Sequence, residues 1–447
     1  MVKCPRSPSS AGADNHPGRR GRRRTDRNGS WEVLPSPGNG RRVPAGTASD
    51  AAVPPVAYGV PVIEDTPAAG PLAGVRVVEL AGIGPGPFTA MLLADMGADV
   101  IRVDRATEVR PELFGTPHPD LLNRGRRSIG VDLKEPAGRD VVLSLVRRAH
   151  VLLEGFRPGV TERLGLGPAD CHAVNPELVY GRMTGWGQDG PYAPAAGHDI
   201  DYLALTGALH GIGRPGEPPV PPMNLLGDFG GGGMVLAFGV VCALYAGGAG
   251  QVIDAAIVDG TALLTTQIHA LRRMGMWQDA RGVNLLDGAA PFYTTYECKD
   301  GRHLAVGALE PRFYAELVRR TGFEPPEGEG RDRTDPAQWP AAREHWARLF
   351  RSRTRDEWAR LLAGGDACVA PVLDWDEAPG HPHLSARGTF VAPGGISQPA
   401  PAPRFSRTPG AVRRPPPHPG EHTAAVLGEL GLSAERIATL RADGAVA

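Results

Sequence analysis

From Leu72 onward the sequence repeats one unit: a short apolar run, a helical stretch, then another apolar run. VRVVEL (75–80) and VIRVDR (100–105) read as strands around a helix over Phe88–Gly97. The rhythm continues with SIGVDL (128–133), a helix over about Pro136–Ala149, VLLEGF (151–156), a short helix near Val160–Leu164, and LVYGRMTGW (178–186). Strands that alternate with helices form a parallel sheet whose two faces the helices cover. The predicted fold is therefore α/β, with a Rossmann-like large domain over 71–280.

The first unit carries a glycine cluster, ELAGIGPGPFTAMLLADMGADVIRVDR (79–105), with an acid, Asp104, about twenty residues on. This is the outline of a dinucleotide-binding turn, but the spacing is wrong. Gly82, Gly84 and Gly86 run as G-x-G-x-G rather than G-x-G-x-x-G, and residues 85 and 87 are proline. A pyrophosphate cradle needs converging backbone N–H groups at the helix start, and proline has none. A tight turn with close helix–strand packing is the better reading.

After residue 187 the chain turns loop-rich, then helical at 231–245 and roughly 257–276. Residues 230–250, GGGGMVLAFGVVCALYAGGAG, carry no charge, but the strongly apolar centre is about twelve residues where a membrane span needs roughly twenty. We read it as a helix buried on all sides. FYTTYECKDGRHLAVGAL (292–309) reads as a β-hairpin turning at Lys299-Asp300-Gly301. Charged helices follow at about 311–321, 340–353 and 354–364, so 285–385 is expected to be a smaller α+β domain. Residues 386–447 read as a Pro-rich linker and C-terminal helices returning to the large domain.

Residues 1–70 are Arg/Pro-rich, with RRGRRR at 19–24 and no apolar run after it. They lack the composition to pack a core and are expected to be a disordered extension rather than a signal peptide. A net charge of −1 over 447 residues gives no global attraction to nucleic acid or to anionic membrane, and neither is expected as a partner. The five cysteines are scattered, without CxxC spacing, which points to a reducing compartment; the chain is read as cytoplasmic. No HExxH or GxxxxGK pattern occurs, and no metal or separate cofactor is expected.

Two residues stand out as acid–base candidates. His198 sits in AGHDIDY and Asp228 in LLGDFGGGG, ahead of the uncharged helix. Read locally, Asp228 is as readily a helix N-cap as a catalyst, and a single loop histidine is more often a surface residue. Local sequence leaves both open.

The order of segments does more. PLAGVRVVELAGIGPGPFTAMLLADMGADVIRVDR (71–105), RGRRSIGVDLK (124–134), EGFRPGVTERLGLGP (154–168), GRMTGWGQDGP (181–191), AGHDIDYLALTGAL (196–209), PPMNLLGDFGGGG (221–233), GQVIDAAIVDG (250–260), LLDGAAPFYTTYECKDG (285–301), VGALEPRFY (306–314) and DACVAPVL (366–373) together resemble the family III CoA-transferase superfamily. The resemblance spans about 71–447. Within that superfamily, GHD followed by GDFGGG is the pattern of the branch that racemises 2-methylacyl-CoA thioesters.

That resemblance implies a two-domain fold and an interlocked homodimer, with the site between a large and a small domain. It implies an isomerase that interconverts (2R)- and (2S)-2-methylacyl-CoA in branched-chain fatty acid or sterol side-chain breakdown. His198 and Asp228 become the proton-transfer pair, and Glu310 the residue that orients His198. CoA contacts are implied at Arg105, at Val131, Asp132, Leu133 and Lys134, at Gly155, Phe156 and Arg157, at Arg163, and at Gly197, Ile200, Asp201 and Tyr202. CoA enters as part of the substrate. The chain departs from the usual GHDINY at Asp201, whose extra negative charge would raise the His198 pKa if it faced the site.

Two other readings remain. In the family's transferases an aspartate at about the position of Asp199 is the nucleophile, so an acyl-CoA:carboxylate CoA-transferase is the alternative activity. A non-catalytic CoA-binding scaffold, tethered by its basic N-terminus, is the alternative class.

Overall fold

A computed structural model describes residues 70–324 and 333–447. The Arg/Pro-rich extension read from the sequence lies outside the described residues. Six parallel strands form the main sheet: β1 (Arg76–Leu80), β2 (Asp99–Arg105), β3 (Arg126–Val131), β4 (Val151–Glu154), β5 (Val179–Thr184) and β6 (Gln251–Ala256). Their order is β3-β2-β1-β4-β5-β6, so the winding direction reverses between β1 and β4. In an open α/β sheet such a reversal leaves a crevice at the carboxyl ends of the strands.

The strands alternate their apolar residues between two cores. Val78, Ile101, Ile129, Leu152 and Tyr180 face one side and pack with Val142 and Leu145 of helix Pro136–Val146. Val77, Val100, Val151 and Val179 face the other and pack with Leu93 of helix Pro85–Asp95 and with Leu236 and Val240 of helix Met234–Ala246. Each such Val or Leu stabilises the fold by roughly 1.5–3 kcal/mol relative to exposure. The C-terminal helices Thr423–Glu429 and Ala434–Ala442 pack on the first core through Leu427 and Leu440.

A second, antiparallel sheet joins β7 (Tyr293–Glu297), β8 (His303–Gly307) and β9 (Val369–Pro371) in that order. The β7–β8 hairpin closes at Glu297↔His303, with Gly301 at φ 73° in the turn. Its core is aromatic, built on Tyr296, Phe323, Trp346, Phe350 and Trp358. Helix Arg355–Leu362 starts at a capping box in which the Thr354 N–H donates to Glu357 and the Glu357 N–H donates to the Thr354 hydroxyl.

Three readings need correction. The first helix starts at Pro85, not Phe88, because Pro occupies the first helical turn, where its missing N–H costs nothing. The strand β6, over the run Gln251–Ala256, completes the sheet beyond β5 and was not foreseen. Helix Met234–Ala246 is not buried all round. Leu236, Val240 and Ala243 are buried, whereas Phe238 is 72 % and Tyr245 93 % exposed. The helical stretch Met223–Ala246 has 24 residues and a mean hydropathy of 1.8, long and apolar enough by composition to cross a membrane. One side of it is packed against the sheet.

Candidate active site

The crevice at the sheet reversal has a volume of about 540 Å³. One wall is the turn after β1, from Ala81 to Pro87; another is Gly155–Pro158 after β4; a third is Gly185–Trp186 after β5. Gly84 caps the first helix at φ 70°, a conformation that only glycine adopts without strain. The glycine turn thus lines a ligand crevice, although Pro85 and Pro87 deny it the N–H cradle of a dinucleotide site.

Under this wall lies a buried charge network. Glu79 pairs with Arg102 at 2.7 Å and with Arg126 at 3.1 Å. Arg102 also pairs with Asp104 at 2.9 Å and donates to the Gly82 carbonyl. Arg126, wholly buried, donates to the Pro87 carbonyl. Two guanidiniums therefore grip both ends of the turn by its carbonyls. Opposite them, buried Glu154 accepts from the Phe156 N–H at 2.7 Å and from Arg182 at 2.8 Å. Burial pushes the Glu154 carboxyl above its ordinary value, against the pull of these donors.

Glu79, Arg102, Arg126, Glu154 and Arg182 were missed by the sequence reading. The available signal was charge inside apolar strands: VVEL, VIRVDR, RRSIGV, VLLE and VYGRMT each hold an ionisable residue in a sheet buried on both faces. Such residues persist only when paired.

His198 and Asp228 both line the crevice. His198 precedes helix Asp199–Leu205, and its backbone N–H donates to Asp201 at 2.9 Å. Asp228 lies within a π-helical segment, Leu226–Gly233, that runs directly into Met234–Ala246. It is not the N-cap that local sequence allowed. Single π-helical turns concentrate at functional sites, and this one has an unusual link. The Asp228 backbone N–H donates to the Asp199 carboxylate at 2.6 Å.

Burial raises the Asp228 pKa above the usual carboxylate value, and the negative charge of Asp199 raises it further. A hydrogen bond from Asn224 and the nearby His198 pull it down. Tyr202, stacked edge-on against Trp186 at 4.7 Å, donates to the Gly197 carbonyl and closes the floor beside His198. Burial, then Asp228 and Asp201, push its phenol up to about 12.

The glycines after Asp228 serve close helix packing. A Cβ on Gly231 would lie 2.6 Å from the Thr261 hydroxyl oxygen, and one on Gly233 would lie 2.7 Å from the Phe88 ring. Phe88 and Phe229 pack with ring centres 4.7 Å apart. The glycine run lets the Asp228 segment nest between helices Pro85–Asp95 and Ile257–Leu264.

Of the other candidates, Arg105, Gly155, Phe156, Arg157 and Gly197 line the same crevice. Asp199 sits behind Asp228. Asp201 is exposed, with its carboxylate on the His198 N–H as a helix cap. Ile200 is exposed outside the lining, as is Arg163 at the end of helix Val160–Arg163. The segment Val131–Lys134 also lies outside it. The Val131 side chain is in the core, and Asp132 accepts from the Lys134 N–H at 2.9 Å. Glu310 is exposed at the start of helix Pro311–Thr321 and does not line the crevice. A single chain does not bring it to His198.

Residues 72–423 match the model of CoA-transferase family III. An α-methylacyl-CoA racemase of Mus musculus is 47 % identical over 377 residues, covering 83 % of this chain and 96 % of its own. The α-methylacyl-CoA racemase of Homo sapiens is 45 % identical over 378 residues, with the same coverage of each chain. The crystal structure of a CAIB/BAIF family protein from Brucella suis superimposes with a TM-score of 0.70 at 27 % identity, covering 81 % of this chain and all of that one.

Proposed function

The chain belongs to CoA-transferase family III, and on that footing we propose that it is a racemase interconverting (2R)- and (2S)-2-methylacyl-CoA thioesters. The carrying observation is the pair of acid–base groups in one crevice: His198, and an Asp228 whose carboxyl pKa is raised by burial and by Asp199. Racemisation removes the proton next to the thioester carbonyl and returns one on the opposite face. That takes two groups flanking a planar enolate, with one poised as base and the other as acid.

A neutral imidazole serves as base near neutrality. A carboxyl serves as acid only if it holds its proton above the ordinary aspartate range, and the raised Asp228 pKa moves it that way. From the S substrate His198 takes the proton and Asp228 supplies one; from the R substrate the roles reverse. The thioester carbonyl already acidifies the α-carbon, so the reading calls for no group beyond substrate CoA. Arg105 and Arg157 on the rim suit its phosphates.

The transferase alternative places a nucleophile at Asp199. That carboxylate is engaged by the Asp228 N–H at 2.6 Å and does not line the crevice. This favours a supporting role for Asp199.

A homodimer belongs to the same proposal. Besides Phe238 and Tyr245, Leu263 and Met274 are each 65 % exposed, and apolar patches of this kind mark interfaces. A partner would also supply Glu310 to His198, whose other ring nitrogen it would orient. A reducing, cytoplasmic setting is consistent with the free thiols of Cys171, Cys242, Cys298 and Cys368.

The test is proton NMR of each epimer of a 2-methylacyl-CoA in D₂O with the enzyme and no acceptor acid. Loss of the α-proton from both epimers, with convergence on one mixture, is expected. Retention of the α-proton, with CoA transfer once a carboxylic acid is added, would replace the racemase reading with the transferase one.

A further inference from the structure

A second cavity, of about 590 Å³, opens at the other end of the sheet, where the strands begin. Arg76 is the first residue of β1, Arg127 the second of β3, and His150 immediately precedes β4. With Arg148, Arg413 and Arg414, five arginines line the cavity, against two carboxylates, Asp99 and Glu429. We propose that this cavity binds a small phosphate monoester, at a site separate from the thioester crevice.

The local interactions leave a surplus of positive charge. Arg127 engages both carboxylates, Asp99 at 2.8 Å and Glu429 at 2.5 Å. Arg148 donates to the carbonyls of Glu429 and Leu430, and Arg413 to that of Ala94; these are helix C-termini. Each such end carries roughly half a negative charge. Five guanidiniums less two carboxylates and about one unit from the helix ends leave about two positive charges unmatched. A phosphate monoester carries about −1.5 to −2 near pH 7.

The donors point the same way. Among the described residues the Arg414 side chain makes no hydrogen bond or ion pair. The Nε atom of Arg413 is buried without a hydrogen-bond acceptor, and that of Arg76 has only an ion pair with Asp99 at 3.5 Å, an acid that Arg127 already engages. Burial and the neighbouring Arg414 hold the Arg413 pKa below its ordinary value, against the pull of Asp99 and Asp95. The Arg76 backbone N–H donates to His150 Nδ1 at 3.0 Å, which puts the proton of a neutral imidazole on Nε2 as a further donor. Planar guanidiniums match phosphate oxygens two at a time.

The volume exceeds that of a bare phosphate and falls in the range of small-molecule sites, about 300–1,000 Å³. No Phe, Tyr or Trp lines the cavity to stack a nucleobase. A polar carbon skeleton is the better fit.

The experiment is isothermal titration calorimetry of the full chain, with CoA at saturation to fill the other crevice and glycerol 3-phosphate as the probe. One equivalent is expected to bind. Arg414→Gln and Arg148→Gln should each weaken binding about tenfold, and added salt should weaken it further. The partnerless Arg414 side chain makes its variant safe for folding. No binding heat with CoA present, or affinity unchanged in both variants, would overturn the proposal.

Discussion

The Asp228 backbone N–H and the Asp199 carboxylate meet at 2.6 Å, so the residue that follows the proposed base anchors the backbone of the proposed acid. Asp199 acts on Asp228 in a second way, since its charge raises the Asp228 pKa. The two effects separate in Asp199→Asn, whose amide oxygen still accepts the N–H but carries no charge. The Asp228 pKa should fall. Neutral His198 with protonated Asp228, and imidazolium with the Asp228 carboxylate, hold the same number of protons, so both directions share one pH–rate profile. The limb that Asp228 sets should move to lower pH in both. Rate profiles with unmoved limbs would remove the electrostatic role.

Asp228→Asn and His198→Asn should divide the reaction by face. Each deletes one proton carrier and leaves the other, so solvent deuterium should still enter from one epimer and not from the other. Net racemisation should fall by about 10²–10⁴ in both. Exchange NMR of each epimer checks this, and equal residual exchange from both epimers in either variant would contradict the assignment.

Asp201, the departure from the usual motif, is exposed and holds the His198 N–H. Asp201→Asn keeps an acceptor there and should leave the pH–rate limbs in place. Asp201→Ala removes the cap and should lower stability by about 1 kcal/mol. A denaturant titration run beside the rate profile separates the two outcomes.

The parallel sheet was legible because the βαβ rhythm is a direct consequence of burying both sheet faces, and most strands fall within a residue or two of their apolar runs. β3 starts at Arg126 rather than Ser128, since two arginines in a strand look like a loop until Glu79 and Asp99 are seen to pair with them. The π-helical turn had no visible pattern. Its backbone is held by the Asp199 tether and by close contacts with two other helices, partners distant in sequence. Exposure of Phe238 was illegible for the opposite reason: an apolar run reads the same whether its cover is the same chain or another. Glu310 shares that difficulty, because on the dimer proposal its place relative to His198 would be set by a second chain.

Gly260 and Gly231 touch so closely that a Cβ on Gly260 would lie 1.8 Å from the Gly231 carbonyl oxygen. Gly231→Ala meets the Thr261 backbone nitrogen at 2.7 Å. Either change must push the Asp228 segment off its neighbours. Overpacking of this order costs about 1–3 kcal/mol. The expected result is a lower unfolding midpoint together with a larger fall in kcat than in substrate affinity, because the segment carries Asp228 while the phosphate-facing rim is elsewhere. A loss of stability with kcat intact would show that the segment's position matters less than its tether to Asp199.

Phe238 tests the assembly. Its side chain stands 72 % exposed on a helix whose other side seals the sheet, so Phe238→Glu should not disturb the core. In a dimer that covers this face, a buried unpaired carboxylate is strongly unfavourable. The variant should sediment as a monomer in analytical ultracentrifugation where the parent sediments as a dimer. If a partner supplies Glu310 to His198, as proposed, racemisation should fall with it. Adding the Glu310→Gln variant distinguishes the causes: it should lose activity with its sedimentation unchanged. If Phe238→Glu stays dimeric and active, the exposed face is not the interface. If it is monomeric and fully active, Glu310 of a second chain is not needed.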